Sequence, residues 1–169
     1  MITLITIVRV IHVLSAVIWT GVVFYNVAFL SPAINASGPA GGAVMQKIAS
    51  GAMLKVMQIV PLATVLAGLI LYWYYSRLSM AYIMSMNGLF LTVAALLGLG
   101  DFFEGAFVTS PTAAKVGALG AQMAQAGGPP KPEQQAEMQR LRDRLESVSM
   151  RGAILLILAV VGMTLGTGL

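Results

Sequence analysis

Of the 169 residues, 58% are hydrophobic and only 9% are charged; a soluble domain carries about 25% charged residues, so a soluble fold is excluded and a bilayer is expected. The absence of cysteine excludes disulfides, zinc–thiolate sites, iron–sulfur clusters and thiol catalysis. The net charge of +4 has no soluble basic domain to carry it, so it speaks for membrane orientation and lipid contact, not for nucleic acid.

Four apolar runs, residues 2–30, 53–75, 81–108 and 150–169, each reach the roughly 20 residues that cross about 30 Å of hydrocarbon. Backbone polar groups cannot stay unpaired in lipid. The expectation is therefore all-α: one domain, an integral membrane four-helix transmembrane bundle. The first run lacks the basic leader of a signal peptide and outruns its apolar region of about 7–15 residues, so it reads as a retained span. Ser31-Pro32 closes it, and residues 35–42 (NASGPAGG) read as a loop. Arg77 and Ser79 mark a short turn between the second and third spans. Pro111 ends or kinks the exit from the third. Gly127-Gly128-Pro129-Pro130 breaks the third connection. Between residues 133 and 149, Met138, Leu141, Leu145 and Val148 recur at spacings of 3 and 4. That stripe makes an amphipathic helix leading into the last span. It either packs on its own chain or docks on a partner or on lipid headgroups.

Lys47, Lys55, Lys115, Lys131, Arg140, Arg142, Arg144 and Arg151 fall on or beside the first and third connections, with Arg9 and Arg77 at the opposite end. The basic side is expected to be cytoplasmic. Both termini then face the outer, periplasmic side of an inner (plasma) membrane. Tyr72, Trp73, Tyr74 and Tyr75 form an aromatic belt at the outer end of the second span.

Within the first span, Arg9, His12, Ala16, Trp19, Val23 and Asn26 are spaced 3, 4, 3, 4, 3, which places them on one helix face. This stripe is expected to point into the bundle. Intramembrane polar groups usually mark function. His12, the only histidine, has two readings. Its neutral imidazole binds a metal, haem iron foremost, with Arg9 one turn away facing a propionate; or both side chains are satisfied by backbone carbonyls and hydroxyls such as that of Ser15. With a single histidine, a bis-histidine haem within one chain is impossible. Among 11 methionines, Met84, Met86 and Met163 lie nearest the right depth for a second ligand, whereas Met45, Met53 and Met57 lie at the far end. Methionine is also a common core filler. Elsewhere, Asp101 and Glu104 sit three apart with Lys55 at matching depth, an expected charge pairing that either fixes helix register or handles protons or cations. Gly162 and Gly166 permit close helix approach within the fold or between subunits. There is no phosphate loop, nucleophile elbow or HExxH.

The segment RVIHVLSAVIWTGVVFYNVAFLSPAI resembles the first span of a loose group that includes the copper-resistance D (CopD)-like proteins and the HemJ-like protoporphyrinogen oxidases. It shows their histidine (His12), tryptophan (Trp19), glycine (Gly21) and exit proline (Pro32). The second span, LKVMQIVPLATVLAGLILYW, is similar in its leading Lys55 and late Gly68. Likeness to the HemJ-like members implies haem b on His12 and a role for Lys55. Likeness to the CopD-like members implies metal handling. The further histidines expected in the third span and a Met/His-rich copper tract are both missing. The expected function is thus a haem b-type membrane protein in electron transfer or porphyrin chemistry. Its alternatives are a non-catalytic subunit of a membrane complex, possible also as a homo-oligomer, and metal-ion or proton transport.

Overall fold

Each of the four apolar runs is carried by a long helix, and several of these helices continue past the end of the run. The computed structural model describes residues 3–126 and 128–167, without the side chains at positions 39, 43, 46, 49, 50 and 54. Its elements are α1 (Leu4–Tyr25), α2 (Ser31–Ala36), α3 (Gly38–Ser50), α4 (Ala52–Ser76), α5 (Met80–Ile83), α6 (Met86–Glu104), α7 (Ser110–Gln125) and α8 (Pro132–Thr167). No strand occurs among the described residues. Four segments are long and apolar enough to cross a membrane: Leu4–Ala36, Lys55–Ser76, Met86–Gln125 and Pro132–Thr167. The chain is an all-α four-helix bundle of transmembrane type.

Three boundaries differ from expectation, each for a local reason. The stretch 35–42 is not a loop. α2 reaches Ala36, Ser37 makes a single turn, and α3 starts at Gly38, whose φ of +57° supplies the left-handed step. Proline in the first turn of α3 is harmless because that N–H has no helical partner. Pro111 does not end the third span either. Both Ser-Pro pairs, Ser31-Pro32 and Ser110-Pro111, directly follow a five-residue π turn, Asn26–Leu30 and Gly105–Thr109. A proline ring collides with the carbonyl four residues back and offers it no N–H. A π turn hands its carbonyls to the residue five on, so the helix passes through. Finally, α6 starts at Met86, not near residue 81, because Arg77 and Leu78 turn left-handed (φ 49° and 54°) and α5 is a separate short turn. The Ser85 side chain then caps α6 by accepting from the Gly88 N–H at 3.1 Å.

The bundle is two antiparallel helix pairs, α1 on α4 and α6 on α8, joined by lighter α4–α6 and α1–α8 contacts. Gly162 and Gly166 serve this fold internally. A Cβ at Gly162 would lie 3.0 Å from Ala94 Cβ and 3.3 Å from the Phe90 carbonyl oxygen; one at Gly166 would lie 2.6 Å from Leu91 Cγ. α8 therefore presses on α6 at backbone distance. Ile7, Val10, Leu14, Val17, Leu62, Leu66, Leu69, Leu96, Ile157 and Val161 face outward, an apolar exterior suited to lipid. The amphipathic start of α8 runs straight into the fourth span, as expected. Its Met138, Leu141 and Val148 are buried, and α7 is the element packed alongside. The stripe is thus covered by its own chain.

Candidate functional site

The polar stripe of α1 turns inward. Ser15 and Trp19 are buried, and His12, Ala16, Val23 and Asn26 are half-buried. Only Arg9, near the end of the span, stays exposed. Packing against α4 decides what the imidazole does. His12 Nδ1 lies 2.8 Å from the backbone oxygen of Thr64. A carbonyl only accepts, so Nδ1 carries the proton. In the neutral ring this leaves the lone pair on Nε2, which makes no hydrogen bond to any described residue. The Thr64 carbonyl serves its own helix with one lone pair and the imidazole with the other. The Thr64 hydroxyl donates to the Val60 carbonyl at 2.9 Å and does not compete.

Gly68, one turn beyond Thr64, makes the approach possible. A Cβ there would sit 2.9 Å from His12 Cε1 and 3.1 Å from Nδ1, so the ring lies flat on the backbone of α4 only because position 68 has no side chain. Ser15 donates to the carbonyls of Ile11 (2.7 Å) and His12 (3.1 Å). Its hydroxyl therefore serves α1 and not the imidazole. Arg9 donates from Nη2 to the Tyr75 hydroxyl, and its guanidinium lies 5.5 Å from the centre of that ring.

The imidazole borders a cavity of about 40 Å³ at the bundle centre. Trp19 and Thr20 from α1, Thr64 from α4, Gly98 from α6, and Leu156, Ala159 and Met163 from α8 complete its wall. Its lining is almost wholly apolar. A Cβ at Gly98 would meet nothing within 4 Å, so this glycine leaves space instead of admitting a neighbour. Of the methionines at suitable depth, Met163 borders the cavity, while Met84 and Met86 are exposed. Thr64, Gly98 and Met163 were not singled out together by the sequence. A visible trace was Thr64 and Gly68 at a spacing of four, a small polar face on an otherwise branched-aliphatic span.

The expected grouping of Lys55, Asp101 and Glu104 is rearranged. Glu104 accepts from Arg151 Nη2 at 2.7 Å, and Lys55 is exposed with no ion pair to either acid. α8 packs on α6 far more closely than α4 does, so the cation at the start of the fourth span reaches Glu104. Asp101 is buried against α8. Among the described residues, no cluster of three or more His, Cys, Asp or Glu side chains forms a metal cage.

A haem fits this site chemically but not sterically. An imidazole whose Nδ1–H is anchored on a carbonyl is the arrangement that orients metal-ligating histidines. Pockets for drug-sized ligands, however, run to about 300–1,000 Å³, and the cavity is about 40 Å³. The closed bundle has room for a single ion or one or two water molecules. Comparison of the chain with protein-family models, curated proteins and solved structures finds no match.

Proposed function

We propose that this chain is a multi-span membrane protein that handles a soft metal ion, copper(I) by ligand chemistry, at His12 in the centre of the bundle. The observation that carries this reading is the division of labour in the imidazole: Nδ1–H is fixed on Thr64, and Nε2 is free of protein partners beside the cavity. Met163 borders the same cavity. A soft thioether beside a borderline imidazole, both neutral, favours copper(I) over hard cations, and an apolar chamber suits a singly charged ion held by such donors. Trp19, buried at 5% exposure, closes the chamber on the α1 side.

Haem b on His12, with electron transfer or porphyrin chemistry, is the second reading. The anchored Nδ1–H supports it, and the volume of the chamber opposes it. No catalytic step follows from the residues present. The basic end, from Lys47 to Arg151, supports an orientation with that end cytoplasmic and both termini outside an inner (plasma) membrane. A role as a subunit of a membrane complex, or as a homo-oligomer, rests on the lipid-facing surface, because the apolar stripe of α8 is already covered.

One preparation tests both readings. Protein purified in detergent is examined for a Soret band, then titrated anaerobically with copper(I) against a chromophoric chelator. One equivalent of copper(I), lost in His12→Ala with helicity retained, supports the ion. A Soret band lost in His12→Ala moves the assignment to haem. A colourless protein whose copper uptake equals that of His12→Ala overturns both.

A further inference from the structure

The third and fourth spans hold a second polar feature, independent of His12. Asp101 lies 15 residues beyond Met86, the first residue of α6, or about 22 Å along a helix that rises 1.5 Å per residue. It packs beside Gly152, two residues inside the start of the fourth span, so it sits near the basic end of the bundle. Its exposure is 8%. Its carboxyl is aimed at α8: a Cβ on Gly152 would overlap Asp101 Oδ1, so the absent side chain at 152 is the socket in which the carboxyl rests. Every charged or titratable group around it is committed or distant. Glu104, one turn on in α6, is bonded to Arg151 at 2.7 Å. Arg151, beside Gly152 on α8, is occupied by that bond. On α4 the titratable side chain toward the same end is Lys55, which is exposed and pairs with neither acid. α7 offers none nearer than Lys115. Asp101 makes no hydrogen bond or ion pair to any described residue.

A buried carboxylate without a partner is expensive, and such a group takes up a proton instead. Intramembrane carboxyls of this kind mark proton or ion paths. We propose that Asp101 is a proton-binding site between the third and fourth spans, with the neutral acid resting on the bare backbone of Gly152 and exchanging its proton at the basic end of the bundle. The Glu104–Arg151 pair stands between Asp101 and that end and keeps the guanidinium from neutralising it. The proposal does not depend on metal binding at His12.

The test is modification by dicyclohexylcarbodiimide of the whole protein in liposomes, read by peptide mass spectrometry. The carboxyl O–H adds across the carbodiimide, and acyl migration leaves an N-acylurea that retains the entire reagent, so nothing is oxidised or released. The expected adduct lies on Asp101 and fades as pH rises. It is lost in the isosteric Asp101→Asn, which keeps wild-type helicity and thermal stability because it replaces one neutral group by another. Glu104, engaged by the Arg151 guanidinium at 2.7 Å, stays unmodified. Absence of the Asp101 adduct at every pH, labelling of Glu104 in its place, or loss of the fold in Asp101→Asn would each overturn the proposal.

Discussion

Gly68→Ala is the most informative single change, because it separates the stability of the bundle from the chemistry of His12. The new methyl would stand 2.9 Å from Cε1 and 3.1 Å from Nδ1 of a ring already held by a 2.8 Å bond to the Thr64 carbonyl. The backbone of α4 cannot give way, so the imidazole, at the end of its side chain, must rotate off α4 and the bond is lost. A net hydrogen bond is worth about 1 kcal/mol. The Thr64 carbonyl keeps its partner within the helix, so little further desolvation cost arises. Alanine for glycine inside a helix returns about 1 kcal/mol. The two terms nearly cancel, and the thermal midpoint in detergent should hardly move. Metal affinity should fall about 10–100-fold, the usual effect of losing an outer-shell partner, equivalent to about 1.4–2.8 kcal/mol. The chain has one histidine, so a sample labelled with ¹⁵N-histidine reports a single imidazole. Wild type should show Nδ1 protonated, and Gly68→Ala a mixture of tautomers. An unchanged tautomer together with wild-type copper(I) affinity would refute the reasoning.

Gly98→Ala places a methyl in open space, so it should narrow the chamber and weaken metal uptake with stability held or raised, as equilibrium dialysis and thermal melts would show. Gly166→Val pushes on Leu91 and on the Asn87 carbonyl oxygen, 3.0 Å away, and should cost about 1–3 kcal/mol by overpacking, visible as a lowered unfolding midpoint. Glu104→Gln removes a pair that is partly open to solvent, with 60% of the Arg151 side chain and 20% of the Glu104 side chain exposed. A double-mutant cycle with Arg151→Gln should return less than about 1 kcal/mol. In the extension outside the bilayer, the hydrogen bond from Arg140 holds the Glu137 carboxyl below its ordinary value of 4.5. A depressed folded value contributes stability that is present above the unfolded value and lost as pH falls through the folded one. Amide protection factors along 132–149, corrected for the intrinsic pH dependence of exchange, should therefore fall on acidification, and Glu137→Gln should remove that dependence.

Composition and run length alone determined that the chain is a four-helix membrane bundle, because only helices satisfy their own backbone in lipid over 20-residue apolar stretches. The inward face of α1 was equally legible: a 3-4-3-4-3 spacing has one geometric meaning, and Trp19 is buried and His12, Ala16, Val23 and Asn26 half-buried where it places them, with Arg9 alone exposed. The amphipathic approach to the last span was legible for the same reason. Proline and glycine misled at 35–42 and at Pro111, since their effect depends on hydrogen-bond register. A π turn ending two residues before Pro111 changes that register without leaving a mark in the composition, and at 35–42 a single left-handed step at Gly38 lets one helix follow another. Partner choice was beyond local pattern altogether. The sequence pointed to Lys55 as the partner of the acids, and the glycine-lined contact of α8 on α6 gives Glu104 to Arg151 instead. The feature that gives His12 its chemistry is of this kind as well. Its carbonyl anchor, the bare backbone at Gly68 and Met163 across the chamber come from α4 and α8, brought together by packing between helices far apart in the chain. One-dimensional spacing shows which face turns inward, and only the tertiary structure decides what that face meets.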